Sequence, residues 1–176
     1  SNSYSEDNIM KTVSTNKEFV KTLASLSLPE QRYLGAKFIS SVLDIMDEPR
    51  LRTIVDGINK NGLSAEELHS AHKLAHTIYI ESHPQSDLSE VNFTRQAEHM
   101  TAEACMICLA PTYQEAITLH LAQKVAMYCR MAITCLNMAH DEDVSDFSQA
   151  ENEVNKIIQA QYTILNNYLE SDKVGV

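Results

Sequence analysis

Three histidines in one short stretch have the side chains and the spacing that metal binding requires. His69, His72 and His76 follow one another at intervals of three and four residues. In a helix these intervals place the imidazoles on one side, where two of them can bind the same metal ion. Glu66 and His69 also form the Glu-x-x-His unit of carboxylate-bridged di-iron bundles, which need a second such unit. The chain has only one, and the His-Glu-x-x-His motif of zinc proteases is absent.

Two further predicted helices add ligands that a bundle can bring to the same level. His99 and Glu103 are four residues apart on the next helix, and His120 lies on the helix after it. With His72 and His76 they form a candidate site of nitrogen and oxygen ligands for zinc or iron. The structural alternative is that His72 lines the core-facing stripe of its helix and binds no metal.

A pair of cysteines, Cys105 and Cys108, forms a second candidate site. Thiols at this spacing are a redox motif when they lie at the start of a helix. Here they lie near the predicted C-terminus, where the helix dipole raises the pKa of a thiol. The pair resembles the Cys-x-x-Cys-x-x-x-His pattern of all-helical alkylhydroperoxidase-type proteins, which implies thiol redox chemistry, but Thr112 occupies the histidine position. Packing of both thiols in the core is the alternative.

An arginine, Arg130, interrupts the most apolar predicted helix. A buried guanidinium needs a carboxylate or a bound anion to offset the loss of hydration. Glu98, Glu103 and Glu115 are the candidate carboxylates. The sequence therefore predicts either a buried ion pair at Arg130 or a small-ligand pocket built on it.

The helix that must position these groups is predicted to run from about residue 111 to about residue 140. No glycine or internal proline interrupts this stretch, and its apolar residues occupy more than one side. A helix that is apolar on most sides is surrounded by other helices or spans a membrane, and Lys124 and Arg130 exclude the second possibility. We therefore predict an all-α, single-domain bundle of six or seven helices over residues 14–176, with 111–140 at its centre and a flexible tail over residues 1–13.

Composition limits the classes of partner. The formal net charge is −10, and no run of Lys or Arg is present that could neutralise several phosphates. Nucleic acids and anionic membrane surfaces are therefore disfavoured as partners. The start of the chain shows no signal-peptide pattern, and reduced core cysteines are usual in the cytosol, so we predict a cytoplasmic protein.

The last predicted helix, over about residues 145–170, carries a wide apolar stripe that exceeds what a peripheral helix needs. Such a stripe predicts an interface, and we expect a homodimer. The sequence favours a non-enzymatic module that binds another protein or itself. The alternative is a bundle that encloses a metal, thiol-redox or small-ligand site. That site would lie near His72, His99, Cys105, Cys108 and His120.

Overall fold

A computed structural model describes residues 12–61, 63–83, 92–140 and 147–175 of the chain. Within these ranges the secondary structure consists of eight α-helices, which confirms the all-α class. The helices are α1 (Asn16–Ala24), α2 (Leu28–Leu43), α3 (Pro49–Asn61), α4 (Ala65–Glu81), α5 (Phe93–Cys108), α6 (Glu115–Thr118), α7 (Leu121–His140) and α8 (Phe147–Gly175).

The sequences at Ser27 and Ser64 have the pattern of a capping box, with a glutamate three residues after the serine, and the structure shows the matching geometry at both helix starts. At the start of α2, the amide of Glu30 donates to Ser27 Oγ at 3.4 Å, and the amide of Ser27 donates to Glu30 Oε1 at 3.1 Å. Ser64 and Glu67 form the same reciprocal pair at the start of α4, with both distances 3.2 Å. Each pair satisfies two backbone donors that lack partners within the helix.

Helix α7 lies at the centre of the bundle and packs against α1, α2, α5 and α8. Its inner side is buried and combines small residues, including Ala122, Ala126 and Cys129, with larger aliphatic residues such as Leu121 and Ile133. Helix α2 approaches closely at Gly35, where a Cβ atom would come within 3.2 Å of Cys108 Sγ. A glycine inside a helix costs about 1 kcal/mol relative to alanine, and this close approach explains why the position has no side chain.

The central helix begins ten residues later than the sequence predicts. Pro111 is followed by a turn, the four-residue helix α6 and a break at Leu119 and His120, after which α7 begins. His120 adopts a φ of 55°, in the left-handed region that non-glycine residues rarely occupy. The break separates α6 from α7 and raises the helix count above the expected six or seven.

Side chains from outside the break form hydrogen bonds with the backbone groups on either side of it. Lys124 Nζ donates to the carbonyls of Ala116 and Ile117, at 3.0 and 3.2 Å, at the end of α6. Gln31 Oε1 accepts a hydrogen bond from the amide of Ala122 at 3.2 Å, at the start of α7. These contacts replace the helical hydrogen bonds that a continuous helix would make.

Helix α8 uses its wide apolar stripe inside the molecule. Ile157, Tyr162 and Leu165 are buried, and the neighbouring hydrophobic residues of the stripe are partly buried against the core. None of the large exposed hydrophobic side chains of the described residues belongs to α8. The observation on which we based the predicted dimer, an apolar stripe left uncovered on the last helix, is therefore not supported.

The N-terminal segment joins the bundle before α1 begins. Residues 1–11 of the predicted tail lie outside the described residues. Val13, which we assigned to the tail, is buried, and its amide donates to Asn166 Oδ1 of α8 at 2.8 Å. The side-chain amide of Asn166 in turn donates to the Val13 carbonyl at 3.0 Å.

Among the described helices, none combines the length and hydropathy that a membrane span requires.

Candidate functional site

The residues predicted to bind a metal do not form one site. His72 and His76 lie on α4, His99 and Glu103 lie on α5, and His120 is exposed at the break before α7. Across the described ranges, no group of three or more histidine, cysteine, aspartate or glutamate side chains is arranged to hold a metal ion. The structure therefore lacks, in these ranges, the cluster that the zinc or iron hypothesis requires.

Two of these residues, His99 and Glu103, form contacts that join α4, α5 and α7. The ring of His99 stacks on Tyr79 with centroids 4.1 Å apart, and its Nδ1 donates to the Tyr79 carbonyl at 2.9 Å. Glu103 accepts a hydrogen bond from the hydroxyl of Tyr128 at 3.0 Å. His99 thus caps the C-terminal end of α4, and Glu103 links α5 to α7.

His72 is half-buried, whereas the structural alternative places it on the core-facing stripe of its helix. Burial lowers the pKa of His72, and the nearby His76 and His69 lower it further. At neutral pH the imidazole of His72 is therefore uncharged. An uncharged imidazole needs no charged partner at a half-buried position.

The two thiols of the redox hypothesis are buried in the core. Burial raises the pKa of Cys108 to about 12 and raises the pKa of Cys105 well above its ordinary value of 9.0. Cys108 Sγ donates to the carbonyl of Arg32 at 3.3 Å. A reactive cysteine needs a low pKa and access to solvent, so this environment favours the structural alternative.

The region after Cys108 also differs from a redox site. Arg32 Nη1 donates to the Cys108 carbonyl at 2.6 Å, and its Nη2 donates to the Ala110 carbonyl. The guanidinium thereby caps the C-terminus of α5, where the helix dipole favours a positive charge. Thr112, at the position of the histidine in the resembled pattern, is exposed in the following turn.

Arg130 forms no ion pair within the described part of the chain, so the predicted pairing with Glu98, Glu103 or Glu115 is wrong there. Its Nε donates to Gln161 Oε1 at 2.8 Å, and its Nη1 donates to Asn16 Oδ1 at 2.9 Å. The guanidinium lies over the ring of Phe19 at 5.3 Å. Neutral acceptors and an aromatic face therefore replace the carboxylate.

Burial lowers the pKa of Arg130, and Tyr162 partly offsets this effect. Nη2 is buried and lacks a well-aligned hydrogen bond within the described residues. Arginine remains charged in this setting because its ordinary pKa is far above neutral. Arg130 is thus a cation directed into the packing of α1, α7 and α8.

A polar pocket of about 330 Å³ lies where α3, α4 and α5 meet. Arg50 forms ion pairs with Glu48 and Glu81 at 3.0 Å, and Arg95 donates to the Glu81 carbonyl. Burial raises the pKa of Glu98, and the charge of Glu48 raises it further. Because both arginines are already engaged, this pocket offers few free groups to a ligand.

An exposed apolar surface on α6 and α7 is the feature that the predictions missed. Nine large hydrophobic side chains are exposed in the described ranges, and six of them lie between residues 113 and 138. We call these six the α6–α7 face: Tyr113, Ile117, Leu119, Met127, Met131 and Met138. Apolar surface concentrated in this way marks interaction sites more often than scattered exposure does.

The three methionines of this face lie along one side of α7. At 100° per residue, Met131 and Met138 are rotated by about 40° and 20° from Met127. They are 42–52% exposed, whereas the opposite side of the helix is buried. The spacing of 4 and 7 residues is present in the sequence, but we expected the apolar sides of this helix to be surrounded by other helices.

The α6–α7 face is also poor in charge. Helix α7 contains no aspartate or glutamate. Its cations Lys124 and Arg130 flank the methionines, but both have hydrogen-bond partners within the chain, on α6 and on α1 and α8. The α7 part of the face is therefore apolar and carries no carboxylate in a chain with a net charge of −10, whereas α6 contributes the exposed carboxylate of Glu115.

Comparison of the chain with models of protein families, with curated proteins and with solved structures found no match.

Proposed function

We propose that this chain is a non-enzymatic, self-associating helical module, and that two copies pair through the α6–α7 face. The observation that carries this proposal is the concentration of exposed methionine, tyrosine and aliphatic side chains on that face. Methionine and aromatic residues are enriched at protein interfaces, and the centre of an interface is depleted in charge. Methionine also adapts its shape to an opposing surface because its side chain is unbranched and flexible.

The distribution of charge supports a second copy as the occupant. Two chains of net charge −10 repel each other unless they meet where carboxylates are few. Helix α7 supplies no carboxylate, and its two cations are engaged inside the chain. The stripe from Met127 to Met138 spans about 16 Å of a straight helix. Two such stripes can pack antiparallel about a twofold axis, with the same residues on both sides.

The internal contacts of the other candidate groups support binding over catalysis. His99 and Glu103 are used in helix packing, and the thiols of Cys105 and Cys108 have raised pKa values. All four cysteines are free thiols, which suits a reducing compartment, and we propose the cytoplasm. The binding hypothesis uses the surface that the structure leaves uncovered.

Light scattering coupled to size-exclusion chromatography tests this proposal. At micromolar concentration we expect a mass of about twice the 19.8 kDa of the single chain. Met131→Glu should give the single-chain mass, because it places a carboxylate in the centre of the apolar stripe. Ile80→Glu is the matched control, since Ile80 is an exposed hydrophobic residue on α4, and it should leave the dimer intact.

Two results would overturn the proposal. One is a mass near 19.8 kDa for the unmodified chain across the micromolar range. The other is a dimer that survives Met131→Glu, since the interface would then lie elsewhere. Circular dichroism of the variant checks that the loss of the dimer is not a loss of folding.

A further inference from the structure

A second surface, distinct from the α6–α7 face, lies between α3 and α4. A groove of about 480 Å³ opens there, and its floor is formed by Ile54, Gly57, Leu63 and Ala71. Gly57 lies so close to Leu63 that a Cβ atom would be 3.3 Å from Leu63 Cδ2. The floor is therefore apolar and free of a side chain at Gly57, and the groove has room for an aliphatic chain.

The rim of this groove is acidic. Glu66 and Glu67 line it and are exposed, and among the side chains that the structure describes no lysine or arginine belongs to its lining. Neither carboxylate takes part in an ion pair in the described ranges. Hydrogen bonds from Ser64 lower the pKa of Glu67, so this group stays ionised at neutral pH. The groove thus combines an apolar floor with two carboxylates that no cation of its described lining neutralises.

We infer that this groove, which we call the α3–α4 groove, binds a lysine or arginine side chain presented by a basic partner protein. The aliphatic part of such a side chain would lie on the apolar floor, and its cationic end would reach Glu66 and Glu67. Long basic side chains commonly bury their carbon chain on apolar surface while the charged end remains in water. The apolar floor therefore suits the carbon chain of a basic side chain, and the acidic rim suits its charged end.

The charge of the whole chain identifies the class of partner. A net charge of −10 attracts positively charged proteins and accelerates their association. The groove supplies a place where that attraction becomes a specific contact. The inference goes beyond self-association, because the groove residues lie on α3, on α4 and between them, and none belongs to the α6–α7 face.

Nuclear magnetic resonance on the full ¹⁵N-labelled chain tests the inference with a defined probe. The probe is the peptide acetyl-Ala-Lys-Ala-Lys-Ala-amide, and its Nε-acetyllysine analogue is the neutral control. We expect the lysine peptide to shift amide signals mainly of residues 53–71, and we expect binding to weaken with added NaCl. The acetylated peptide should cause no comparable shifts, because it keeps the alkyl chain but lacks the charge.

A pair of variants separates the effect of the groove on binding from the effect of the net charge of the protein. Glu66→Lys and Glu151→Lys change the net charge equally, and Glu151 is an exposed residue on α8, outside the groove. We expect Glu66→Lys to weaken binding of the lysine peptide about tenfold and Glu151→Lys to weaken it less than twofold. Glu66→Gln should give a smaller loss, of about two- to fivefold, as expected for one exposed ion pair.

Equal weakening by Glu66→Lys and Glu151→Lys would overturn the inference, since only the net charge would then matter. Shifts scattered over all acidic surfaces, or the same shifts with the acetylated peptide, would overturn it as well. The outcome is separable from self-association. The Met131→Glu variant should retain the peptide shifts at the α3–α4 groove even when its scattering mass is that of the single chain.

Discussion

The inner and outer sides of α7 are both apolar, yet the bundle treats them in opposite ways. Ala122, Ala126 and Cys129 are completely buried, whereas Met127 and Met131 are about half exposed. The inner residues are small, so neighbouring helices can approach closely, and the outer residues are long and flexible. The hydrophobicity of the stretch thus indicated that α7 is central, but it did not show which apolar side packs inside the chain, where small residues alternate with rigid aliphatic ones such as Leu121 and Ile133, and which side exposes flexible methionines.

The largest expected effect comes from placing the same charge on the two sides of α7. Ala126→Glu forces a larger, charged side chain into a completely buried position, and even with Arg130 one turn away on the same helix we expect a loss of several kcal/mol in the free energy of unfolding. Met127→Glu places that carboxylate at the adjacent, exposed position, and it should change the stability of the monomer by less than about 0.5 kcal/mol. Urea denaturation followed by circular dichroism measures both.

Because Met127 belongs to the proposed interface, the comparison must be made at low protein concentration, where the monomer dominates. If Ala126→Glu and Met127→Glu have equal effects on unfolding, the two sides of α7 are not distinct. The assignment of α7 as the centre of the bundle would then be wrong.

A smaller effect is expected at the polar contact behind the inner side of α7. Gln161 is completely buried, its Nε2 donates to the Ala126 carbonyl at 3.0 Å, and its Oε1 accepts from Arg130. Gln161→Leu should leave both groups of α7 without these partners, at a cost of about 1–3 kcal/mol. Gln159→Leu, at an exposed position of the same helix, is the matched control and should be nearly neutral. Similar stabilities for the two variants would show that this contact contributes little.

The smallest effect concerns the pH dependence that the buried thiols confer. Burial raises the pKa of Cys108 from its ordinary 9.0 to about 12, so the folded chain favours the neutral thiol. The resulting stability is complete below pH 9 and is lost as the pH rises towards 12, because the unfolded chain releases the proton first. At pH 10 the loss for this one thiol is about 1.4 kcal/mol.

Urea denaturation of the unmodified chain and of Cys108→Ala at pH 8 and pH 10 isolates this contribution. The variant should lose about 1.4 kcal/mol less than the unmodified chain between the two pH values, since it lacks the thiol. Tyrosine and lysine titrations are common to both proteins and cancel in the difference. An identical loss in both proteins would contradict a raised pKa at Cys108.

The parts of the fold that the sequence predicts are those encoded by neighbouring residues. The capping boxes at Ser27 and Ser64, the boundary at Pro111 and the all-α class depend on contacts within one or two turns. The glycine at position 35 is also informative in the sequence, because a closely approaching helix can offset its cost inside α2, and such an approach is observed there.

The features that escaped prediction depend on contacts between distant residues. The break at His120 is stabilised by Gln31 from α2 and by Lys124 from α7, and no glycine or proline marks it in the sequence. Arg130 finds Gln161 and Asn16 in place of a carboxylate, and periodicity cannot supply the identity of such partners. The metal hypothesis required the rotations of three helices at once, which local patterns do not determine.

Two consecutive residues of α2 connect the ends of the segment that carries half of the α6–α7 face. Arg32 binds the carbonyl of Cys108 at the end of α5, and Gln31 binds the amide of Ala122 at the start of α7. The intervening residues therefore cannot open at either end without breaking a contact to α2. In hydrogen exchange, the backbone around residues 109–122 should open together with α2 as one cooperative unit. A partner that binds at Tyr113 and Leu119 would thus increase protection in a helix that it does not touch.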